Sequence, residues 1–225
     1  GITCIARGTI RTILLENGLE PAPQRNEPTW DQFLRSHAKT LWACDFFTAP
    51  VMTWLGPRLC FVLFFLHVQT RRVIVAPPCT NPTTAWSAAQ AEMFLNETDR
   101  QGFEPPTVLL RDGDGKFGSA FNAALRAKGC APRRLPPRSP LLNAFAERWV
   151  RSVRRECLDH FVAFGKRHLD YLVHEYLAHY LTERPHQAKG NTVLTTAGIP
   201  PPSTGAIVCR RRLGGILKHY LRKAA

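Results

Sequence analysis

Apolar positions cluster into two kinds of run along the chain. Thr40 to Val51, Leu59 to Gln69 and Arg71 to Pro77 are apolar and aromatic almost throughout, and each is closed by Gly, Pro or charge. Short runs closed in this way read as sheltered strands, and three in succession with brief connections predict an antiparallel meander. The pattern then changes. Thr83 to Asn96 is rich in alanine and free of proline, which predicts the first core helix, and Thr107 to Arg111 predicts a fourth strand. Ser119 to Lys128 reads as a helix stopped by Gly129, and Ala131 to Leu135 as a fifth strand. Pro136-Pro137-Arg138-Ser139-Pro140 reads as a loop before a helix over Leu141 to Cys157. In His168 to Tyr180, Leu169, Leu172, Val173, Tyr176 and Tyr180 recur at helical spacing, as a core-facing stripe does.

Ahead of this block the signals differ. Ile13 and Leu14, followed by Glu16-Asn17-Gly18, predict a short helix with a glycine stop. Pro21, Pro23 and Pro28 make residues 20–29 a linker that cannot be helical throughout, and Trp30 to His37 reads as a helical lead-in. The expected organisation is a helical N-terminal remnant over residues 1–19, the linker over 20–29, a core over 30–190 and a basic tail over 191–225. The first residue is Gly1 and not Met, so the chain reads as a fragment.

Composition narrows the function classes. Hydrophobic residues make up 44% of the 225, enough for a real core and too many for a disordered tail. The net charge of +13 points to a polyanionic partner, by default nucleic acid. No basic amphipathic helix argues for a membrane surface, and Cys60 to Leu66, the most apolar run, is too short to span a bilayer. The seven cysteines are scattered singly with no C-x-x-C, which argues for a reducing compartment and against a zinc ribbon. Cys157 with His160, and His174 with His179, lack the second pair a metal site needs, so they read as structural.

Three carboxylates stand out against this background. Glu147 lies in Asn143-Ala144-Phe145-Ala146-Glu147-Arg148-Trp149-Val150-Arg151, where Ala146, Trp149, Val150, Val153 and Cys157 form a buried arc. At about 100° per residue, Arg151 and Arg154 share its outward face and Arg148 and Arg155 flank it. Asp112 stands 35 positions earlier, at the end of an apolar strand in the Gly-rich turn Asp112-Gly113-Asp114-Gly115. Asp45 lies inside Leu41-Trp42-Ala43-Cys44-Asp45-Phe46-Phe47-Thr48, where a buried carboxylate would ask for a compensating cation. Two acids on strands and one on a helix, in a basic chain, suit divalent metal and a polyanion.

This arrangement resembles the DDE transposases and retroviral-type integrases, whose cores carry Asp, Asp and Glu with a spacing of 35 between the last two. Ser139-Pro140 leading into Asn143-Ala144 and Glu147-Arg148, then Arg154-Arg155-Glu156-Cys157-Leu158, and Tyr180 with Arg184-Pro185-His186-Gln187, look like the integrase core of bacterial insertion-sequence transposases. The resemblance covers the chain from about Trp30 to its end, and the helix within residues 1–19 is similar to the last helix of the helix-turn-helix found ahead of such cores, of which it would be a remnant. It implies an α/β ribonuclease H-like fold, a central mixed five-stranded sheet flanked by helices, with a helical C-terminal extension. It further implies metal-dependent DNA cleavage and strand transfer, with Asp45, Asp112 and Glu147 as the catalytic ligands of two Mg²⁺ or Mn²⁺ ions. Asp45 would bridge the ions, with Asp112 and Glu147 completing one site each.

Hard cations take oxygen donors, and two of them would stabilise the attacking and leaving oxygens. Asp114 is the rival to Asp112, but Phe117 follows Asp112 by five residues as the family pattern requires, which leaves Asp114 to cap the turn. Gly113 stands where relatives commonly have Asn, and Leu181 where they often have Asn after the Tyr. Lys116, Arg138, Asn143, Arg148, Arg151 and Arg154 are the candidate DNA contacts. Expected partners are transposon ends, target DNA and further copies of the chain on DNA, with no membrane, in a bacterial, nucleoid-associated cytoplasmic setting. The alternatives are a nuclease of the same fold that cuts without joining, and an inactive transposon-derived DNA-binding protein.

Overall fold

The computed structural model describes residues 6–18, 36–135, 140–195 and 204–223, with residues 7 and 140–143 described by their backbone alone. The chain divides into two units at Ser36. Among the described residues the first unit carries α1 (Arg7–Glu16), which ends at Asn17 and at Gly18 with φ of 70°, a left-handed stop that glycine takes without steric cost. The expected linker, most of the lead-in helix and residues 136–139 of the expected loop lie outside the described residues, and Pro140, expected to close that loop, is instead the first residue of a helix.

The second unit is built on the meander. β1 (Leu41–Thr53) pairs antiparallel with β2 (Gly56–His67), which pairs antiparallel with β3 (Val73–Val75). A helix, α2 (Thr84–Arg100), then carries the chain across the sheet, capped where Thr83 accepts from the Trp86 amide. It leads to β4 (Val108–Arg111), which lies parallel to β1, and α3 (Ser119–Ala127) leads to β5 (Ala131–Arg134), parallel to β4. The strand order is β3-β2-β1-β4-β5, a mixed sheet of five main strands to which one short strand adds alongside β1. α4 (Pro140–Glu156) and α5 (Gly165–Thr182) follow. A two-residue strand, β6 (Ala163–Phe164), joins them and runs parallel to β1 at Val51 and Met52.

Strand alternation sorts the core into two clusters. Trp42, Cys44, Leu63, Phe65 and Leu109 face α2 and α3, where Phe94, Phe121 and Leu125 meet them. Phe47, Ala49, Val51, Val62 and Phe64 face the other way, onto Ala146, Trp149 and Val153 of α4 and Leu172, Val173 and Tyr176 of α5. The arc expected on the Glu147 helix is therefore buried, with the Trp149 ring 4.4 Å from Phe64 and 5.7 Å from Phe47 between ring centroids. The sheet-and-helix architecture is the ribonuclease H-like one that the sequence predicts.

The end of the chain departs from expectation. The C-terminal extension is helical only through α5. Residues beyond it form a hairpin, β7 (Ile207–Arg212) and β8 (Leu217–Arg222), antiparallel and closed over Leu213-Gly214-Gly215. Gly214 and Gly215 take φ of 66° and 96°, conformations open to glycine, and Leu213 and Leu217 are buried in the α4/α5 core. Charge density hid the alternation: Arg210, Arg211 and Arg212 give no apolar period to read.

Candidate carboxylate site

β1 and β4 run parallel with Leu41 opposite Val108, Trp42 opposite Leu109 and Ala43 opposite Leu110. Extended by two residues, the same register brings Asp45 and Asp112 level. Asp45 belongs to the row of Phe47 and Ala49, and Asp112 to the row of Leu110, so both sit on the side of the sheet that α4 and α5 cover. The Cys44 thiol, next to Asp45 in the chain, points to the opposite face, into the α2/α3 core. Burial pushes its pKa well up, both carboxylates push it further, and Arg111 pulls it back, so both acids are within electrostatic reach of one sulfur.

The ladder stops where the acids begin. β1 pairs with β4 up to Ala43 and with β6 from Val51, which leaves residues 44–50 of that edge without a strand neighbour among the described residues. This leaves a crevice alongside β1, just beyond the carboxyl end of its parallel neighbour β4, the end of a strand at which α/β sheets bind ligands. Asp45 is half-buried there, more open than a strand interior would leave it, and one of its oxygens accepts from the Phe46 amide at 2.7 Å. The cost of a fully buried charge, expected from the sequence, is thus avoided.

Asp112 begins the turn after β4. Its Oδ1 accepts from the Asp114 amide at 3.0 Å, an Asx-type bond that holds the turn. Asp114 is committed elsewhere: its oxygens accept from the Lys116 amide at 2.9 Å and the Lys116 ammonium at 2.7 Å. Burial pushes the Asp114 carboxyl up, but the two Lys116 bonds and the ammonium charge outweigh it and hold the pKa below its ordinary value. Lys116 also lies 5.0 Å from the Phe61 ring centroid and 5.4 Å from that of Phe46. Gly113 has a local reason of its own. A Cβ there would fall 2.5 Å from Nη2 of Arg134, whose guanidinium rests over the turn. Arg134 is a cation beside Asp112 that the sequence did not single out, because only the β4–β5 pairing brings it there.

Glu147 is exposed on α4, with Arg148 and Arg151 exposed beside it. Arg154, two turns further on the same stripe, turns back to the sheet and donates from Nη2 to the Thr48 carbonyl at 2.7 Å, inside the unpaired segment of β1. The Glu147 stripe therefore borders the crevice that holds Asp45. Among the described residues, no three His, Cys, Asp or Glu side chains are grouped closely enough to hold a metal ion. The β1–β4 register puts the two aspartates level on neighbouring strands, while Glu147 is exposed on α4, two turns before Arg154. Phe145 packs under Arg71, whose Cζ lies 3.2 Å from the ring centroid. Burial lowers the Arg71 pKa to about 10, and nearby Arg148 lowers it further against the pull of Tyr180. Arg138 and the Asn143 side chain lie outside the described residues.

The remaining motif residues are structural. Arg184 makes a two-pronged ion pair with Glu156, at 2.8 and 2.7 Å, and clamps the end of α5 to the end of α4. His186 donates from Nε2 to the Tyr180 carbonyl at 2.8 Å, with its ring edge-on to Tyr180. Cys157 is buried against Leu172, while His160 bonds the Arg155 carbonyl, so they form no ligand pair. His174 is exposed beside Asp170, and His179 is buried against Glu183.

The integrase core domain family matches residues 128–193, a span that takes in Glu147, Glu156 and Arg184. Several solved structures share the fold. The chain is similar to the integrase catalytic core of HTLV-2 solved with magnesium in a dimeric form, at 11% identity and a TM-score of 0.53, covering 71% of this chain and 95% of that one. The trimeric form of the HTLV-2 core matches at 12% identity and TM-score 0.50, over 68% of this chain and 93% of that one. A chain of the simian T-cell lymphotropic virus intasome in complex with the PP2A regulatory subunit B56γ matches at 11% identity and TM-score 0.53, over 82% and 67%. No curated protein matches the sequence. At these identities the likeness is one of fold, and none of the helices of the core among the described residues is long and apolar enough to cross a membrane.

Proposed function

We propose that this chain is an integrase-type catalytic core and a DNA strand transferase, acting on the ends of a mobile element and on target DNA. The observation that carries the reading is the placement of Asp45 and Asp112, level on neighbouring parallel strands, facing the helix that bears Glu147. The donor set fits a hard divalent cation: the candidate ligands are all carboxylates, beside a stretch of β1 that neither β4 nor β6 pairs. Asp45, Asp112 and Glu147 would hold Mg²⁺ or Mn²⁺. Bound there, two such ions would stabilise charge on the attacking and leaving oxygens of an in-line displacement at phosphorus.

The chain's own residues supply the rest. Exposed Arg148 and Arg151 take phosphates of the strand laid along α4, while Arg154 fixes the helix against β1. Asp114 and Lys116 neutralise each other and keep the turn in shape, so that Asp112 is the carboxylate left to the crevice. The attacking group is a 3′-hydroxyl or water, and the 3′ oxygen leaves with the cut strand. No covalent enzyme intermediate is required.

The test uses a labelled, hydroxyl-ended duplex taken from the DNA flanking the coding region, a supercoiled plasmid and Mg²⁺. Label joined covalently to the plasmid is the expected result. Nicking without joining would make the chain a nuclease of the same fold. Neither product, from a protein that still binds the duplex, would leave the inactive DNA-binding reading.

A further inference from the structure

The C-terminal hairpin divides its charges by face. Strand alternation and the pairing of Arg212 with Leu217 and Arg210 with His219 put Arg210, Arg212, Leu217 and His219 on one side. That side meets α5. Arg212 donates to both oxygens of Glu183, at 2.8 to 3.1 Å, and to Glu175 at 3.1 Å, and Arg210 reaches Glu183 at 3.3 Å. Leu217 is buried beneath them. The inner arginines are thus spent on two carboxylates, and the hairpin is fixed in orientation on the core.

The outer side has the opposite character. Arg211 pairs across the ladder with Lys218, Cys209 with Tyr220 and Ile207 with Arg222, so these six share the face turned from α5. Arg211, Lys218 and Arg222 are exposed, and Tyr220 is 66% exposed in their midst. Among the described residues no carboxylate pairs with any of the three cations, whereas both inner arginines are paired. Three like charges on one rigid ribbon repel one another, and a solvated face has no need of them in a row around an aromatic ring. A polyanion with regularly spaced charges matches it.

We propose that this outer face docks the phosphate backbone of duplex DNA, outside the carboxylate crevice, with Arg211, Lys218 and Arg222 on phosphates and Tyr220 packed between them. A two-stranded ribbon fits a DNA groove in width, and backbone contacts of this kind set register without reading sequence. The inference rests on the reading that DNA is the substrate, and names a second place where the chain holds it.

The test measures binding of a fluorescein-labelled duplex by anisotropy across a salt series, with the full chain. Arg211→Gln/Lys218→Gln/Arg222→Gln should flatten the slope of log Kd against log salt by about 2 to 3, since each lost phosphate contact removes about 0.9. Arg58→Gln/Arg126→Gln/Lys128→Gln removes the same charge from exposed positions elsewhere and should flatten it by less than half as much. Tyr220→Ala should weaken binding with the slope unchanged, and it carries the test alone if the triple variant melts early. Equal flattening in both triple variants overturns the proposal, as does an unchanged slope in the hairpin variant. Sedimentation that shows loss of self-association with DNA affinity intact would make the face a contact between copies, and would also overturn it. Wild type that binds the duplex without joining it refutes the strand-transfer reading alone, and wild type that joins while the hairpin variant binds normally refutes this inference alone.

Discussion

Arg154 and Thr48 tie the helix that carries Glu147 to the strand that carries Asp45, by a 2.7 Å bond from the guanidinium to the strand carbonyl. The carbonyl lies in the stretch of β1 that neither β4 nor β6 pairs, so the arginine takes the place of a strand neighbour. Arg154→Ala should cost about 1.5 to 3 kcal/mol, the range for a hydrogen bond with one charged partner. Urea unfolding checks it. Strand transfer should fall further than stability does, because α4 then loses its hold beside the crevice. An unchanged midpoint in urea would mean that the bond contributes nothing.

Glu183 sets an acid limit on the fold. Burial alone would raise its pKa, but hydrogen bonds from Arg212 and His179, with the charge of Arg212 and a bond from Arg210, hold it at about 2, down from 4.5. A carboxylate depressed in the folded state adds stability in full above its unfolded pKa and loses it as pH falls through the folded one. Melting temperature should therefore drop between about pH 4.5 and pH 2 in the wild type. Glu183→Gln should melt lower at neutral pH, by the equivalent of about 3 to 5 kcal/mol for a broken buried pair, and respond less to acid. Parallel melting curves for the two proteins across that range would contradict the assignment.

Arg184 and Glu156 make a lesser clamp, with about a third of each side chain exposed, at 29% and 33%. Arg184→Ala should cost about 1 kcal/mol in thermal melts, and Arg184→Lys should restore little, since an ammonium cannot span both carboxylate oxygens. Full rescue by lysine would show that charge alone is at work and that the two-pronged geometry is not.

How far the sequence reached depends on what holds each element. The meander and the helices over α2 to α5 were legible because their apolar residues must be buried on known periods, as Phe47, Ala49 and Val51 on one face of β1 show. The candidate acids were legible as lone charges in apolar or basic surroundings. What could not be read came from pairings between distant segments. β6 is two residues long and exists because β1 overhangs β4. The level placement of Asp45 and Asp112 depends on the β1–β4 register, and the roles of Arg154 and Arg134 on tertiary neighbours. The hairpin was hidden by three consecutive arginines, whose division into paired and unpaired faces appears only once Glu183 is beside them. His179 likewise gave no sign in sequence that it would share that carboxylate.

The central claim is that Asp112, and not Asp114, serves the crevice with Asp45. Asp114 is bound to Lys116 by a partly buried pair, each side chain 27% exposed, so Asp114→Asn should cost about 1 kcal/mol and leave metal-dependent strand transfer largely intact. Asp112→Asn removes one of two carboxylates held level on neighbouring strands, so it should abolish strand transfer while leaving the melting temperature without metal the same or slightly higher. The deciding measurement is strand transfer in Mg²⁺ for both variants, beside their melting curves without metal. A dead, stable Asp112→Asn with an active, softened Asp114→Asn is the predicted result; an active Asp112→Asn, or activity lost through Asp114→Asn alone, would contradict the account.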